Sequence, residues 1–417
     1  MPRTLLLTTV AVLAAVLFAS PAAAAPAYVP GEVIVKRAGA PAATTVKLQR
    51  GTSVRDAAKR LSDRTGISYA RPNYIARVSQ APQYVPNDPG FPAQWNLAAT
   101  PAGINMPEAW ETARQLGRAG GRGATIAVLD TGVAYQRFRR FRRAPDLNRF
   151  TRGYDFVSRD RHPNDQNGHG THVAGTIAQS TGNGIGTAGI AYRARIMPIR
   201  VLDASGAGDT LAIAKGIRFA ARNGADVINL SLEFDSAVRA SQIPDIVSAL
   251  RFARRRGALV IAAAGNQGSP QVAYPARARG VIAVAATTAT GCQAEYSNSG
   301  PHVDISAPGG GADAANTDTP YDVAVCRPGQ VGQFIFQQTF VGSVARFGTP
   351  PGYEGTSMAA PHVSGVAALL IGSGKLGASP KPWVVERQLI RTARDIGLPG
   401  YDTRYGWGLL DAAAALR

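Results

Sequence analysis

Charged residues are scarce, at 17% of the 417-residue chain against 45% hydrophobic ones. That balance excludes a disordered segment or a coiled coil and leaves ample apolar matter for a buried core. Beyond residue 25 no apolar run approaches the ~18 residues that span a bilayer, which argues against an integral membrane protein. No internal repeat is present. The 46 glycines follow no triplet period, so they mark tight turns and close backbone approaches, not a collagen-like rod. Lysine is rare too, accounting for six of the 45 basic residues. The net charge of +18 is thus an arginine excess spread along the chain. Genome composition produces such a bias more often than a nucleic-acid surface does. Length excludes a small binding module and allows two or three domains.

Residues 1–25 set the expected compartment. Arg3 supplies a positive start, Leu5 to Phe18 an apolar stretch, and Ala22–Ala25 a small-residue cleavage site. Together they read as a secretory signal peptide, to be left out of the fold. With no twin-arginine pair and no lipobox cysteine, an exported protein, periplasmic or extracellular, is expected. Export places Cys292 and Cys326, the only cysteines, in an oxidising compartment where one disulfide is expected, the alternative being two separate thiols. Closing that loop stabilises the fold by about 3–4 kcal/mol in the chain-entropy model.

What is present next falls into two parts. GEVIVK (31–36) reads as a strand. Ser53 can cap a helix whose apolar positions Val54, Ala57, Ala58 and Leu61 share a face. SYARPNYIARV (68–78) reads as a closing strand. QAPQYVPNDPG (80–90), rich in proline and polar residues, then looks like a linker. Past it, the apolar runs at 124–129, 195–201, 226–230, 258–264 and 280–286 are separated by helical patterns such as 210–222 and 242–256. Continuous runs mean strands buried on both faces, hence an α/β fold: a mostly parallel central sheet with helices on both sides. In such sheets ligands bind beyond the carboxyl ends of the strands. Asp130, Ser231 and Asn266, each just after or ending a run, are therefore of interest.

Four segments carry chemistry. GTSMAAPHVSG (355–365) places Ser357 at the start of a helical stretch reaching Leu370, with Pro361 expected in its first turn. A hydroxyl there lies at the positive end of the helix dipole; Ser357 or Thr356 also suits a plain N-cap. NGHGTHVAGT (167–176) offers His169 and His172, fit to move a proton near neutral pH, to stand as structural histidines, or to form a metal pair. No HExxH accompanies them. TIAVLDTGV (125–133) ends a buried strand on Asp130, whose charge needs a partner. AAAGN (262–266) sets Asn266 after another strand, either as a turn residue or as an amide donor into the same crevice.

In their order Asp130, His169, Asn266, Ser357, these segments resemble the subtilisin-like serine peptidases, or subtilases. A GxSxG elbow, the mark of α/β-hydrolases, is absent. The resemblance implies that Ser357 is the nucleophile and His169 its general base. Asp130 would orient the imidazole, and Asn266 with the Ser357 amide would bind the oxyanion. His172 resembles the family's structural helix-entry histidine. It further implies that residues 26–79, after the leader, form an α+β propeptide that assists folding and then inhibits. Residues 80–90 would hold the processing region and 91–417 the peptidase domain, ending in YGWGLLDAAAAL (405–416) with no accessory domain expected.

The family pattern also assigns substrate contacts. NLSLEF (229–234) resembles the strand that pairs with a peptide main chain, supplying Ser231, Leu232 and Glu233, while Gly206 to Gly208 would form the opposing strand and Gly265 the wall beside Asn266. Glu233 departs from the glycine frequent in the family; it either narrows the cleft, favours basic residues or points to solvent. Asp146 and Asn183 resemble two ligands of a tight calcium site, and Asp155 and Asp160 part of a weaker one, although Ser158 replaces a common acidic ligand. No organic cofactor is implied. The segment AYQRFRRFRRAPDL (134–147) interleaves arginine with Phe138 and Phe141, a pattern of nucleic-acid binding or, more ordinarily, of a solvated insertion. The expectation is an exported, monomeric serine endopeptidase acting on proteins and inhibited by its own propeptide, with neither membrane nor nucleic acid as partner. A catalytically silent binding protein on the same fold and a basic nucleic-acid binder are its rivals.

Overall fold

The computed structural model describes residues 28–75, 83–315 and 326–417. The leader read at 1–25 lies outside them. Contacts divide the chain into two compact units, Met1–Gln80 and Ala81–Arg417.

In the first unit, β1 (Tyr28–Arg37) is the centre of an antiparallel sheet, flanked by β2 (Thr44–Lys47) and β3 (Ile67–Tyr74). Helix α1 (Val54–Ser62) starts where expected, with the Ser53 hydroxyl accepting from the Asp56 amide at 3.4 Å. Val54, Ala57 and Ala58 pack on Val33 and Val35, and Leu61 lies at the margin. Strand β2 escaped the sequence reading because all four of its residues are exposed and no alternation marks it. Residues 76–78 of the expected closing strand lie outside the described ones.

The second unit is built on seven parallel strands: β4 (Thr125–Asp130), β5 (Tyr154–Asp155), β6 (Arg195–Arg200), β7 (Val227–Leu230), β8 (Leu259–Ala263), β9 (Val281–Thr287) and β10 (Ile305–Pro308). Their spatial order is β10-β9-β8-β7-β4-β6-β5. Apart from the short edge strand β5 and the exposed Arg195 that opens β6, the strands are buried on both faces, as the unbroken apolar runs require. Along β4, Ile126 and Val128 enter one core, while Ala127 and Leu129 enter the other. Helices α4 (Thr210–Arg222) and α5 (Pro244–Arg255) cover the second face. The first is covered by α2 (Met106–Gln115), α3 (His169–Ala178), α6 (Thr356–Ser373), α7 (Pro382–Arg391) and α8 (Ala412–Leu416). Among the described residues no helix is long and apolar enough to cross a membrane.

Helix α6 is apolar all round and almost wholly buried, so it runs through the core instead of along the surface. Its N-cap is Gly355, which places Ser357 at the second helical position and removes the N-cap reading of that serine. Pro361 is the sixth residue of the helix, in its second turn and not the first as expected. A proline there cannot donate to the carbonyl four residues back. That carbonyl belongs to Ser357, and the Ser231 hydroxyl donates to it instead, at 2.8 Å.

Cys292 and Cys326 form the expected disulfide, with their Cα atoms 5.7 Å apart. The stretch read as a linker differs from its composition. Tyr84 donates its amide to Pro107 and packs edge-on to Trp110, and Asp88 is buried. From residue 83 onward this segment belongs to the second unit.

Candidate active site

Strands β4 and β7 are neighbours, yet the sheet extends from β4 toward β6 and from β7 toward β8. This is the point where strand order reverses and a crevice opens at the carboxyl ends. Asp130 closes β4, Ser231 follows β7 directly, and Asn266 lies three residues beyond β8. The crevice is a cleft of about 570 Å³ lined by His169, Ser231, Leu232, Glu233 and Ser357, with Gly206 and Gly208 along its other side.

His169 enters this cleft because the loop before it is tied down. Asp165, completely buried, accepts from the amides of Asn167, Gly168 and Thr171 and from the hydroxyls of Thr131 and Thr171. Next to it, Gly170 must be glycine, since a Cβ would collide with the Gly132 carbonyl and press on Asp130. The imidazole Nδ1 then meets Asp130 Oδ1 at 2.7 Å. The same Oδ1 accepts from the Thr131 amide at 2.7 Å, while Oδ2 is buried without a partner among the described residues.

Burial of His169 works against its charged form, but the Asp130 charge and hydrogen bond, with Asp165 behind them, outweigh it and raise the pKa above the ordinary 6.5. His172 behaves oppositely. Stacked 4.2 Å from the Tyr353 ring, with Nε2 on the Ile335 carbonyl, it is pushed by burial down to about 3. It is neutral and held for packing. No second histidine competes for the proton-transfer position.

Ser357 and His169 line the same cleft, and in this conformation the Ser357 hydroxyl donates to the Ser231 carbonyl at 3.2 Å. Asn266 is anchored by its oxygen: Oδ1 accepts from the Thr356 amide at 2.7 Å and from the Thr356 hydroxyl at 2.8 Å. That leaves the Asn266 Nδ2 group and the Ser357 amide, at an open helix N-terminus, as adjacent donors without acceptors among the described residues. Two such donors beside a hydroxyl can stabilise negative charge developing on an oxygen. Gly265, at φ +118°, accommodates Glu233, whose carboxylate Oε2 accepts from the Asn266 amide at 2.6 Å.

The metal candidates divide. Asp146 Oδ1 accepts from the Asn183 side chain at 2.7 Å, and burial, reinforced by the charge of Asp88, pushes its carboxyl up to about 6. Asp88, missed in the sequence, holds the amides of Gly182 and Asn183 and is 2% exposed. Two buried carboxylates and an amide side chain make an oxygen-rich set suited to a hard cation. Asp155 is different. It accepts from the amides of Val157 and Ser158, and its other oxygen pairs with the buried Arg200 guanidinium at 2.9 Å. Asp160 turns its Oδ1 to the His162 amide. A fixed cation thus already pairs with one oxygen of Asp155.

The arginine-rich segment forms a tight hairpin in which Phe138 and Phe141 bridge and Phe138 stacks on His162 at 3.9 Å. Its aromatic rings are thus used within the protein, and Arg137, Arg139, Arg140 and Arg143 face solvent. Sequence reasoning did not find Asp165, Thr356 or Asp88 as site residues. Only the spacing of Asp165 four residues before His169 could have drawn attention to it.

A family model described as "Subtilase family" matches residues 121–408. Thermitase of Thermoactinomyces vulgaris is 38% identical over 293 residues, covering 70% of this chain and 87% of its own. A thermophilic serine proteinase of Bacillus sp. (strain AK1) is 35% identical over 349 residues, covering 84% and 73% respectively. Among solved structures, a protease of Pseudoalteromonas arctica PAMC 21717 superposes with a TM-score of 0.64 at 34% identity, covering 79% of this chain and 98% of that one. A cold-adapted subtilisin-like serine proteinase gives 0.54 at 30% identity, covering 70% and 90%.

Proposed function

This chain belongs to the subtilase family and is a serine endopeptidase, and we propose that it cleaves proteins through an acyl-enzyme on Ser357, with His169 as base and Asp130 as its orienting partner. The observation that carries this reading is the 2.7 Å bond between Asp130 Oδ1 and His169 Nδ1, in a cleft that also presents the Ser357 hydroxyl. An ionised carboxylate only accepts, so the bond puts the imidazole proton on Nδ1 and leaves Nε2 with its lone pair free. The Ser357 hydroxyl then turns from the Ser231 carbonyl to His169, loses its proton to Nε2 and attacks the substrate carbonyl. The resulting oxyanion accepts from Asn266 Nδ2 and the Ser357 amide. The imidazolium, held by Asp130, returns its proton to the leaving amine, and water repeats the sequence to free the acid.

Substrate is held as an added strand between the segment Ser231 to Glu233 and Gly206 to Gly208, which bound the cleft. Residues 26–79 act as a folding aid and intramolecular inhibitor, and the chain is exported as a monomer by its leader. Calcium, when bound, supplies charge neutralisation and rigidity at Asp88, Asp146 and Asn183. Those side chains fit it because both carboxylates are buried and the charge of Asp88 is felt at Asp146. The Asp155 and Asp160 pair is given no such role.

Expressing the wild type and Ser357→Ala, then reading N-termini by mass spectrometry, tests the proposal. Processing between the two units in the wild type alone supports it. Equal processing in both chains removes Ser357 from the chemistry.

A further inference from the structure

Glu233 stands in the cleft as a built feature. Its Oε2 accepts from the Asn266 amide at 2.6 Å and lies 2.6 Å from where a Cβ on Gly265 would stand. The carboxylate is thus laid against the segment that carries the oxyanion donor, and a Cβ at 265 would collide with it and, more severely, with the Asn298 side chain. Its Oε1 has no hydrogen-bond partner among the described residues. Burial raises the carboxyl above the usual range, and the Asn266 bond only partly offsets this. Glu233 and Asp235 line the cleft and no lysine or arginine does, in a chain of net charge +18.

Taking the Ser357 peptidase as given, we propose that Glu233 makes the enzyme select a lysine or arginine at the residue whose carbonyl is cleaved. The scissile oxygen belongs between Asn266 Nδ2 and the Ser357 amide. Glu233 grips the backbone of that same Asn266, so the nearest substrate side chain is the one on the residue bearing that carbonyl. An ammonium or guanidinium meeting Oε1 pairs with a carboxylate that is partly out of water, where charges attract more strongly than in bulk solvent. A neutral side chain leaves that carboxylate half-buried beside it, and an acidic one is repelled.

Matched peptides that differ only in arginine, lysine, leucine or glutamate at this position test the selection. The enzyme is purified from expression of the full chain, as wild type, Glu233→Gln and Glu233→Arg. Ratios of kcat/KM measured on one preparation do not depend on how much of it is folded. The wild type is expected to favour arginine over leucine by about tenfold or more. Glu233→Gln, which can still accept from Asn266, brings the ratio near one, and Glu233→Arg turns it toward glutamate. A wild-type ratio near one, or a preference that survives in Glu233→Gln, overturns the selection while leaving the peptidase intact. A wild type that cleaves none of the peptides and takes no serine-directed inhibitor overturns the peptidase reading, and the selection with it.

Discussion

Ser231 and Ser357 exchange hydrogen bonds across the cleft. The Ser231 hydroxyl donates to the Ser357 carbonyl at 2.8 Å, and the Ser357 hydroxyl donates to the Ser231 carbonyl at 3.2 Å. The first bond exists because Pro361 supplies no amide hydrogen to the carbonyl four residues before it. Removing the Ser231 hydroxyl leaves that partly buried carbonyl unpaired, which costs about 1 kcal/mol. Ser231→Ala is therefore expected to lower the unfolding midpoint in urea and to slow turnover by loosening Ser357. In that background Pro361→Ala restores an amide donor and should return part of the lost stability. A fully additive double-mutant cycle would contradict the link.

The Asp130–His169 bond sets an expectation for pH. The proposed mechanism uses the neutral imidazole, and Asp130 raises the pKa of His169 above 6.5. Activity is thus expected to be lost as pH falls through that raised value, so the acid limb of kcat/KM lies above 6.5. Asp130→Asn removes the charge that holds the imidazolium. The limb should then move to lower pH and kcat should fall by about 10⁴-fold. A limb that stays in place in Asp130→Asn contradicts the assignment.

Asn266 is held by Thr356 through its oxygen, leaving the amide nitrogen to act. Asn266→Ala should reduce kcat by about 10²–10³-fold with KM little changed, because the donor serves a charge that exists only in the transition state. Steady-state kinetics on a small chromogenic peptide measure both. A defect in KM alone would assign Asn266 to substrate binding.

Much of this site was legible because its residues follow apolar runs. TIAVL forces Asp130 to the end of a buried strand, and the glycines around His169 mark a constrained helix entry. What the sequence did not disclose depends on contacts between distant segments. Asp165 binds backbone amides of its own loop, Asp88 reaches a loop nearly a hundred residues away, and neither leaves a periodic pattern. The pairing of Asp155 with Arg200 is of the same kind: the two residues stand on neighbouring strands, β5 and β6, but are 45 residues apart in the chain. Composition misled at 80–90, where proline and polar residues suggested a tether. Tyr84 and Asp88 are instead packed into the second unit.

Calcium at Asp88, Asp146 and Asn183 is checked by heating the processed enzyme with calcium and with chelator. Chelation is expected to lower the unfolding temperature by several degrees, since a ligand that binds only the folded state stabilises it by mass action. Asp146→Ala should abolish the difference between the two conditions. Equal unfolding temperatures for the wild type would remove the metal from this site.

Covalent labelling reads most directly whether Asp130, His169 and Ser357 act as one unit, as proposed. A fluorophosphonate added to the wild type is expected to leave a single adduct, mapped by peptide mass spectrometry to Ser357, with labelling slowed by orders of magnitude in His169→Ala. An adduct on another residue, or an unlabelled enzyme that continues to hydrolyse protein, would contradict it.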